Sequence, residues 1–235
     1  MILGSRPIGT VAYLGGVLAV AEEFCWSWGQ MIQFNTESLC EPGEYIHLDR
    51  AKVSYHESAR NLLADRFMGE WLVQLDTDHE FEPDLIARLV TIAENVRPND
   101  QPIDVLTGVY CFKGGRGNPV LYTHEKASDT FQQLATWSAG PDGPTVLRVG
   151  AAGGGVLFVR RSVFDRIRAE LGESPFDKRG GLSEDLSFFR RLIQLRIPAW
   201  CATRVESYHL RLQPVRLADQ RVDPAELITV PLEGA

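Results

Sequence analysis

Up to about residue 210, segments in which hydrophobic residues recur at helical spacing alternate with short apolar segments typical of strands. Apolar residues between Leu85 and Ala93 recur at helical spacing after Pro83, a residue that favours the start of a helix. Residues 71–75, WLVQL, form instead a short apolar run that is typical of a buried strand. Because helix-like and strand-like segments alternate, the pattern predicts an α/β fold with a mostly parallel central sheet flanked by helices.

The same patterns predict the other elements. Helices are predicted at residues 17–32, 58–68, 162–171 and 184–195, the last with Ser183 as its N-cap. Strands are predicted at residues 104–112, 149–161 and 199–210. Three segments are interpreted differently: a turn followed by a core helix at 10–21 (TVAYLGGVLAVA), a turn-rich stretch around 40–45 (CEPGEY), and irregular chain with short strands at 114–145.

Length and charge limit the classes of function. With 235 residues, 44% of them hydrophobic, the chain is long enough for one large domain with its own core. The formal net charge of −7 argues against non-specific nucleic-acid binding, which depends on lysine and arginine. Residues 1–105 hold 7 Lys+Arg and 17 Asp+Glu, whereas residues 106–235 hold 17 and 14. This asymmetry suits a cleft for a metal ion and an anion, although a chance distribution of surface charge explains it as well.

Cysteine usage and hydropathy indicate the compartment. The 4 cysteines are scattered and form no C-x-x-C pair, which favours a reduced, cytoplasmic protein. The apolar stretch 10–21 is a poor match to a signal peptide because only Arg6 supplies positive charge ahead of it. It is also too short to cross a bilayer, so we expect no integral membrane segment.

Acidic residues directly follow the apolar run at 71–75. In an extended chain Asp76 and Asp78 share a face, so that both carboxylates point at one place. Two hard oxygen ligands suit Mg²⁺ or Mn²⁺, and such an ion would relieve their mutual repulsion. The alternative is a strand that runs out into solvent, followed by a helix whose dipole favours the next acidic residues, Glu80, Glu82 and Asp84. This alternative explains Asp76 and Asp78 less well, because they follow the apolar run immediately.

Four further segments accompany this D-x-D in a characteristic order. They are ARNLLADRF before it, and VGAAGGGVLFVRR, GLSEDLSFFRRL and VESYHL after WLVQLDTDHEFEPDLIARLV. In this order the chain resembles the nucleotide-sugar glycosyltransferases of the GT-A fold, family 2-like, over roughly residues 59–209. The resemblance implies one GT-A domain over residues 1–212 and an irregular tail over 213–235. Residues 1–105 would mainly bind the nucleotide, and residues 106–212 the acceptor.

The resemblance implies a metal site and a donor site. Asp76, Asp78 and His209 would form the site for Mn²⁺ or Mg²⁺: Asp78 and His209 would ligate the ion directly, and Asp76 would contact the donor's ribose or a metal-bound water. Arg60 would contact the phosphates or the base of the donor, for which a UDP-sugar is the first expectation. The ion would stabilise the leaving nucleoside diphosphate.

It also implies an acceptor side. Asp185 would accept the proton of the attacking hydroxyl in an inverting transfer, and Glu184 would orient the acceptor or the sugar. Gly154 and Gly155 would let the backbone approach the sugar closely. For Glu184 and Asp185 the alternative is an acidic first turn that complements the helix dipole.

Acceptor and reaction class stay open at this point. A saccharide, a protein, a metabolite and a modified nucleic-acid base are all compatible hydroxyl acceptors, and the sequence does not address the oligomeric state. A polyanionic acceptor is one hypothesis because of several basic residues, Arg160, Arg161, Lys178, Arg179, Arg190 and Arg191. The alternatives to a glycosyltransferase are a nucleotidyltransferase and a non-catalytic relative that binds a nucleotide or a sugar.

Overall fold

The structure is a computed structural model that describes residues 5–15, 22–53, 55–112, 118–134 and 145–210. Within these residues eight strands form a central sheet and three form a small one. The strands are β1 (Arg6–Leu14), β2 (Glu44–Ala51), β3 (Trp71–Asp76), β4 (His79–Phe81), β5 (Val105–Val109), β6 (Leu121–Glu125), β7 (Thr130–Gln133), β8 (Val146–Val149), β9 (Ala151–Ala152), β10 (Val156–Arg160) and β11 (Ala199–His209).

The central sheet has the order β2-β1-β3-β10-β5-β11-β4, and β8 also pairs with β11. Neighbours β1/β2, β1/β3 and β5/β11 are parallel, whereas β10 is antiparallel to both β3 and β5. Strands β4 and β8 are antiparallel to β11. The predicted α/β class is therefore confirmed, and the sheet is mixed because β10 returns between two strands of opposite direction.

Helices cover both faces of this sheet. They are α1 (Glu22–Leu39), α2 (His56–Arg66), α3 (Leu85–Asn95), α4 (Arg161–Arg166, continued by a π-helical turn at Ile167–Leu171) and α5 (Glu184–Gln194), and a 3₁₀ turn occupies Pro98–Asp100. Apolar residues of α2, α4 and α5 form one buried cluster, and those of α1 and α3 form the other. Successive residues of β3 enter the two clusters alternately, as the pleat of a strand requires, with Leu72 in the first and Val73 in the second. No helix in the described ranges is long and apolar enough to span a membrane.

The interpretation of residues 10–21 is wrong where the structure describes them. Residues 10–14 belong to β1 instead of a turn, and 16–21 lie outside the described residues. Val11 and Ala12 are fully buried, because β1 lies between β2 and β3 and is covered on both faces. Such a strand carries a continuous apolar run, which periodicity alone does not distinguish from a helix.

Two more strands differ from the sequence prediction. The stretch interpreted as turn-rich ends in β2, an edge strand whose EYIHLDRA pattern is half polar because it has a neighbour on one side only. The three-residue strand β4 is too short to give a pattern. The helix predicted at 17–32 runs from Glu22 to Leu39, and its predicted first residues, 17–21, are outside the described part.

Most of the remaining predictions agree with the structure to within a few residues, but the single strand predicted at 149–161 is wrong: the segment is divided into the end of β8, β9 and β10, and residues 153–155 lie outside any strand. Helices α2, α3 and α5 and strands β3, β5 and β11 occupy their predicted segments, and Ser183 is the N-cap of α5. Strands from both predicted halves, 1–105 and 106–212, interleave in one sheet. The division into a nucleotide half and an acceptor half stays a prediction, and the predicted tail at 213–235 falls outside the described residues.

Candidate active site

One edge of the central sheet gathers the polar residues that the sequence singled out. Because β1, β3, β5 and β11 run in the same direction, their C-terminal ends lie along this edge, and the antiparallel β10 begins there. Asp76 closes β3 with its backbone N–H on the carbonyl of Gly155, 3.1 Å away. His209 closes β11 opposite His79 of β4, and the N–H of Leu210 binds the carbonyl of Asp78 at 2.7 Å. Ligands of open α/β sheets commonly bind at such an edge.

Asp78, His79 and His209 form a compact cluster of metal-ligating groups. One ligand atom from each lies within 4.8 Å of the others. His209 Nε2 is 3.3 Å from Asp78 Oδ2, and His79 Nε2 is 3.8 Å from Asp78 Oδ1. The two imidazole rings stack with their centroids 4.5 Å apart. The structure thus brings together Asp78 and His209, which are 131 residues apart in the chain, and it adds His79.

Hydrogen bonds on the far side of each ring orient the two histidines. His209 Nδ1 is 3.1 Å from the carbonyl oxygen of Cys111, which only accepts, so Nδ1 carries the hydrogen of a neutral ring. The lone pair is then on Nε2, the atom that faces Asp78. His79 Nδ1 is 2.9 Å from the hydroxyl of Ser207, so its Nε2 also faces Asp78. Outer hydrogen bonds of this kind fix the tautomer of metal-ligating histidines.

A buried arginine holds the first aspartate of the D-x-D. Arg60 is 2% exposed and donates to Asp76 Oδ1 at 2.9 Å, to the carbonyl of Gly154 at 3.1 Å and to Gln74 at 3.2 Å. Burial lowers the pKa of Arg60, but Asp76 and the acidic residues of α5 outweigh it and raise that pKa above its ordinary value. Arg60 therefore stays charged, and Asp76 is tied to it, outside the cluster of Asp78 and the two histidines.

The three glycines before β10 make room for this arrangement. A Cβ on Gly154 would lie 2.4 Å from the guanidinium of Arg60, and one on Gly155 would lie 2.8 Å from the ring of His79. On Gly153 it would lie 2.0 Å from the hydroxyl of Tyr110. The glycine run is thus the floor against which Arg60, His79 and Tyr110 pack. A contact of Gly154 and Gly155 with a donor sugar stays a prediction.

Tyr110, just after β5, links the two groups of charges. Its hydroxyl oxygen accepts the backbone N–H of Gly155 at 2.9 Å, and its ring meets the His79 ring edge-on at 4.6 Å. Burial first, and the charge of Asp76 second, hold the pKa of Tyr110 well above its ordinary value. The phenol therefore stays neutral at physiological pH and supplies a polar atom to the site without charge.

Helix α5 directs its acidic first turn at Arg60. Ser183 caps the helix, and Asp185 Oδ1 accepts the N–H of Leu186 at 2.8 Å. Glu184 is 9% exposed, with Oε1 at 3.6 Å from Arg60 Nε and 3.8 Å from His56 Nδ1. The dipole explanation accounts for Asp185, which binds its own helix, but the burial of Glu184 against Arg60 places that carboxylate inside the site.

Negative charge dominates this edge. Asp76, Asp78, Glu184 and Asp185 are the four carboxylates of the site, and Arg60 is the arginine placed among them. Carboxylates this close together are stabilised by a cation. Asp78, His79 and His209 fit a divalent ion: Asp78 and the adjacent His79 meet His209 from β11, their ligand atoms lie within 4.8 Å of one another, and hydrogen bonds behind the two rings orient the histidines. One oxygen and two imidazole nitrogens suit Mn²⁺ better than Mg²⁺, which prefers oxygen.

The basic residues behind the hypothesis of a polyanionic acceptor are engaged within the protein. Arg160 binds Glu94, Arg161 binds backbone carbonyls near residue 69, and Lys178 lies 3.7 Å from Glu57. The other three bind carboxylates as well: Arg179 and Arg191 bind Glu173, and Arg190 binds Asp129. Five of the six charges are thus paired with a carboxylate and Arg161 is bonded to backbone carbonyls, which argues against a polyanion bound by these side chains.

Sequence reasoning missed His79, Tyr110 and His56. His79 follows the D-x-D directly, and that position was the available signal. Tyr110 closes an apolar strand, where a tyrosine is ordinary, and only the folded sheet brings it beside Asp76. His56 precedes the segment that carried the resemblance.

Comparisons with known proteins agree on the fold. No protein-family model and no curated protein matches the sequence. Among solved structures, A197 from STIV aligns with a TM-score of 0.51 at 17% identity, over 86% of this chain and 85% of that one. GalNAc-T7, crystallised with UDP, GalNAc and Mn²⁺, aligns with a TM-score of 0.54 at 15% identity, over 90% of this chain and 45% of that one. The protein therefore has a GT-A-like, glycosyltransferase-like fold and spans about half of the GalNAc-T7 chain.

Proposed function

We propose that the protein is a divalent-metal-dependent glycosyltransferase that moves a sugar from a nucleoside diphosphate sugar to a hydroxyl acceptor. One observation carries the proposal: the cluster of Asp78, His79 and His209 lies at the ligand edge of a GT-A-like sheet, beside the Arg60–Asp76 pair. A similarly folded protein was crystallised with UDP and Mn²⁺, which supports a uridine nucleotide and that metal as first choices here.

Each residue of the cluster has a defined task in this proposal. Asp78 and His209 hold the ion, and His79 is a third ligand or a support for His209, against which its ring stacks. The bound ion offsets the negative charge that develops on the leaving diphosphate. Asp76, fixed by Arg60, accepts a hydrogen bond from the ribose of the donor.

Arg60 acts through other groups in this scheme. It is 2% exposed and already bonded to Asp76, Gln74 and Gly154, so it orients Asp76 and Glu184 and balances their charge. Arg60 Nε makes no hydrogen bond within the described residues, so the direct contact with the phosphates of the donor stays a prediction.

Asp185 is the proposed base. Its Oδ1 is held by the N–H of Leu186, which leaves Oδ2 as the atom that we assign to take the proton of the acceptor hydroxyl. Glu184 orients the acceptor or the sugar from its position against Arg60. A base that takes the proton directly from the attacking hydroxyl fits an inverting displacement.

The acceptor is proposed to enter a cleft beside Asp185. A cavity of about 690 Å³ is lined by the aromatic side chains of Tyr122 and Phe131 and by Leu186, the residue after Asp185. Burial first, and the charge of Asp185 second, raise the pKa of Tyr122. Arg190 in its wall is paired with Asp129. Aromatic faces beside a neutralised ion pair suit an uncharged, hydroxyl-rich acceptor.

Product analysis tests this proposal. The protein with Mn²⁺, a panel of UDP-sugars and oligosaccharide acceptors should release UDP and form a glycoside. Asp78→Asn should lower the rate by about 10²–10³-fold because it removes an anionic ligand at the transition state. Glu80→Gln is the matched control, since Glu80 is an exposed carboxylate two residues further on, in β4, and it should keep the parent rate.

Two results would contradict the proposal. Release of pyrophosphate would indicate a nucleotidyltransferase. Tight binding of nucleotide without turnover of any donor across the panel would indicate a non-catalytic relative.

A further inference from the structure

A second cavity, about 660 Å³ in volume, lies at the opposite end of α5 from the candidate active site. Asp185 is in the first turn of α5, whereas Leu192, Ile193 and Arg196 line this cavity. At the rise of an α-helix these positions are roughly 10–17 Å apart along its axis. The volume is in the range of pockets that hold small molecules.

The charge of this cavity differs from that of the rest of the protein. Lys126, Arg148 and Arg196 line it, and no aspartate or glutamate is among its described lining residues. None of the three forms an ion pair with any residue in the described ranges, although most of the arginines within those ranges do. His124 in the wall is bonded to Asp129, which is also neutralised by Arg190. A protein of net charge −7 therefore has a concave surface with three cations that no carboxylate of the described residues pairs with.

Arg196 occupies a backbone conformation that favours glycine. Its φ is 57°, and it follows the last turn of α5 in a Schellman motif. In this motif its own N–H binds the carbonyl of Ile193 at 3.0 Å, and the N–H of Ile197 binds the carbonyl of Leu192 at 2.8 Å. A side chain at such a position costs about 1–2 kcal/mol, so the sequence places a guanidinium at the cavity where glycine would be more stable.

Capping of α5 does not account for these cations. The carbonyls of Leu192 and Ile193 are bonded to backbone N–H groups, and that of Leu195 accepts from Arg166 at 3.2 Å. Arg148 comes from β8 instead, and together with Arg196 it also lines an adjoining cavity of about 170 Å³. Arg148 and Arg196 thus line one concave region that is formed from separate elements.

We propose that this cavity binds a phosphate monoester without metal. Guanidinium groups pair with phosphate oxygens through two parallel hydrogen bonds, and Lys126 adds a point charge. The apolar wall, which includes Val149, Leu192 and Ile197, contacts the organic part of the ligand. The inference does not depend on the proposed transferase activity, because it uses none of the residues of the active site.

Calorimetric titration with phenyl phosphate, inorganic phosphate and phenol, in EDTA and at constant chloride, tests the proposal. Phenyl phosphate should bind once per chain and more tightly than inorganic phosphate, because its ring covers the apolar wall. Phenol should not bind. Arg148→Gln should weaken binding by about tenfold or more, the effect of one charge-assisted hydrogen bond.

Arg196→Gly is the most informative variant, because it separates an effect on binding from an effect on stability. It removes the cation but relieves the backbone at φ 57°, so binding should weaken at least about tenfold while the midpoint of urea unfolding holds or rises. Arg50→Gln removes one exposed charge from the far edge strand β2 and should leave binding unchanged. Asp78→Asn should leave it unchanged as well.

Four results would overturn the proposal. They are absence of saturable binding of either phosphate, parent affinity in both arginine variants, and loss of binding in Asp78→Asn, which would place the phosphate in the active site. The fourth is binding of a single-stranded oligonucleotide without binding of phenyl phosphate, which would indicate a nucleic-acid surface.

Discussion

Arg60 carries a positive charge in a nearly closed environment, with the carboxylates of Asp76 and Glu184 within 3.6 Å of its guanidinium. These two carboxylates compensate the charge of Arg60, and replacing Arg60 by a neutral residue leaves both without their counter-ion. In a buried network the loss of one partner costs more than the pair contributes, because the remaining charge stays desolvated.

We predict that Arg60→Met lowers the free energy of unfolding by about 3–5 kcal/mol in urea denaturation. Asp76→Asn in the same chain should restore part of this loss, since it removes one of the uncompensated charges. Arg50→Met, at an exposed position, should change stability by no more than about 0.5 kcal/mol. If Arg60→Met and Arg50→Met lowered the free energy of unfolding equally, the role of Arg60 as the internal counter-ion would be contradicted.

Gly154 and Gly29 form a matched pair for the same substitution. A Cβ at Gly154 would lie 2.4 Å from the Arg60 guanidinium, whereas one at Gly29 in α1 would meet nothing within 4 Å. Gly154→Ala should therefore displace Arg60, lower the melting temperature and weaken nucleotide binding. Gly29→Ala should raise stability by about 0.4–1 kcal/mol, because alanine favours a helix. A parent melting temperature in Gly154→Ala would contradict the close packing of Arg60 against Gly154.

At the scale of elements, α3 is anchored by a residue of another helix. Its N-cap position, Asp84, makes no side-chain capping bond. Asn35 of α1, fully buried, accepts the N–H of Ala87 at 2.6 Å and donates to the carbonyl of Pro83 at 2.8 Å. One amide thus caps the helix that follows β4 and fixes α1 against it.

Asn35→Ala should lower the free energy of unfolding by about 1–3 kcal/mol, because it leaves buried backbone groups of α3 without a partner. Asp84→Ala, at the nominal cap, should change it by no more than about 0.5 kcal/mol. Guanidinium denaturation of both variants measures the two changes in the free energy of unfolding, and the change in Asn35→Ala should be the larger one. The reverse order would show that Asp84 caps α3 in solution.

The helices and strands also explain which parts of the fold could be predicted from the sequence. Helix α3, with its regular apolar stripe, and α5, with Ser183 as a capping signal, were predicted because local pattern decides them. Strands β2 and β4 were missed because an edge position and a three-residue length suppress the alternation on which prediction depends. Strand β1 was misinterpreted because its run continues into the apolar residues that follow it.

At the scale of the whole molecule, the sequence predicted that Asp78 and His209 converge but could not predict what surrounds them. Convergence followed from the order of the motifs. The roles of Tyr110 and His79 depend on the neighbouring strands, β5 and β11, whose placement is a property of the sheet. The cavity lined by Arg148 and Arg196 could not be predicted from the sequence either, because it is formed by residues of β8 and residues at the end of α5.

The thiol of Cys201 reports on the whole fold. It is fully buried in β11, and burial raises its pKa far above the ordinary value, so the native thiol reacts slowly. Alkylation at Cys201 should require global unfolding, and Mn²⁺ with UDP at 100 times the dissociation constant should slow it by about 100-fold. Mass spectrometry of the labelled peptide measures this, and the exposed Cys25 is the internal control. An unchanged rate at Cys201 would contradict coupled binding of metal and nucleotide.

Counting bound Mn²⁺ by electron paramagnetic resonance, as the loss of the free-ion signal on titration in the presence of UDP, tests the central claim most directly. The parent protein and Glu80→Gln should each bind one ion per chain, whereas Asp78→Asn and His209→Ala should bind none in the same range. If Asp78→Asn or His209→Ala bound the ion with the parent affinity, the metal site at the ends of β3, β4 and β11 would be refuted.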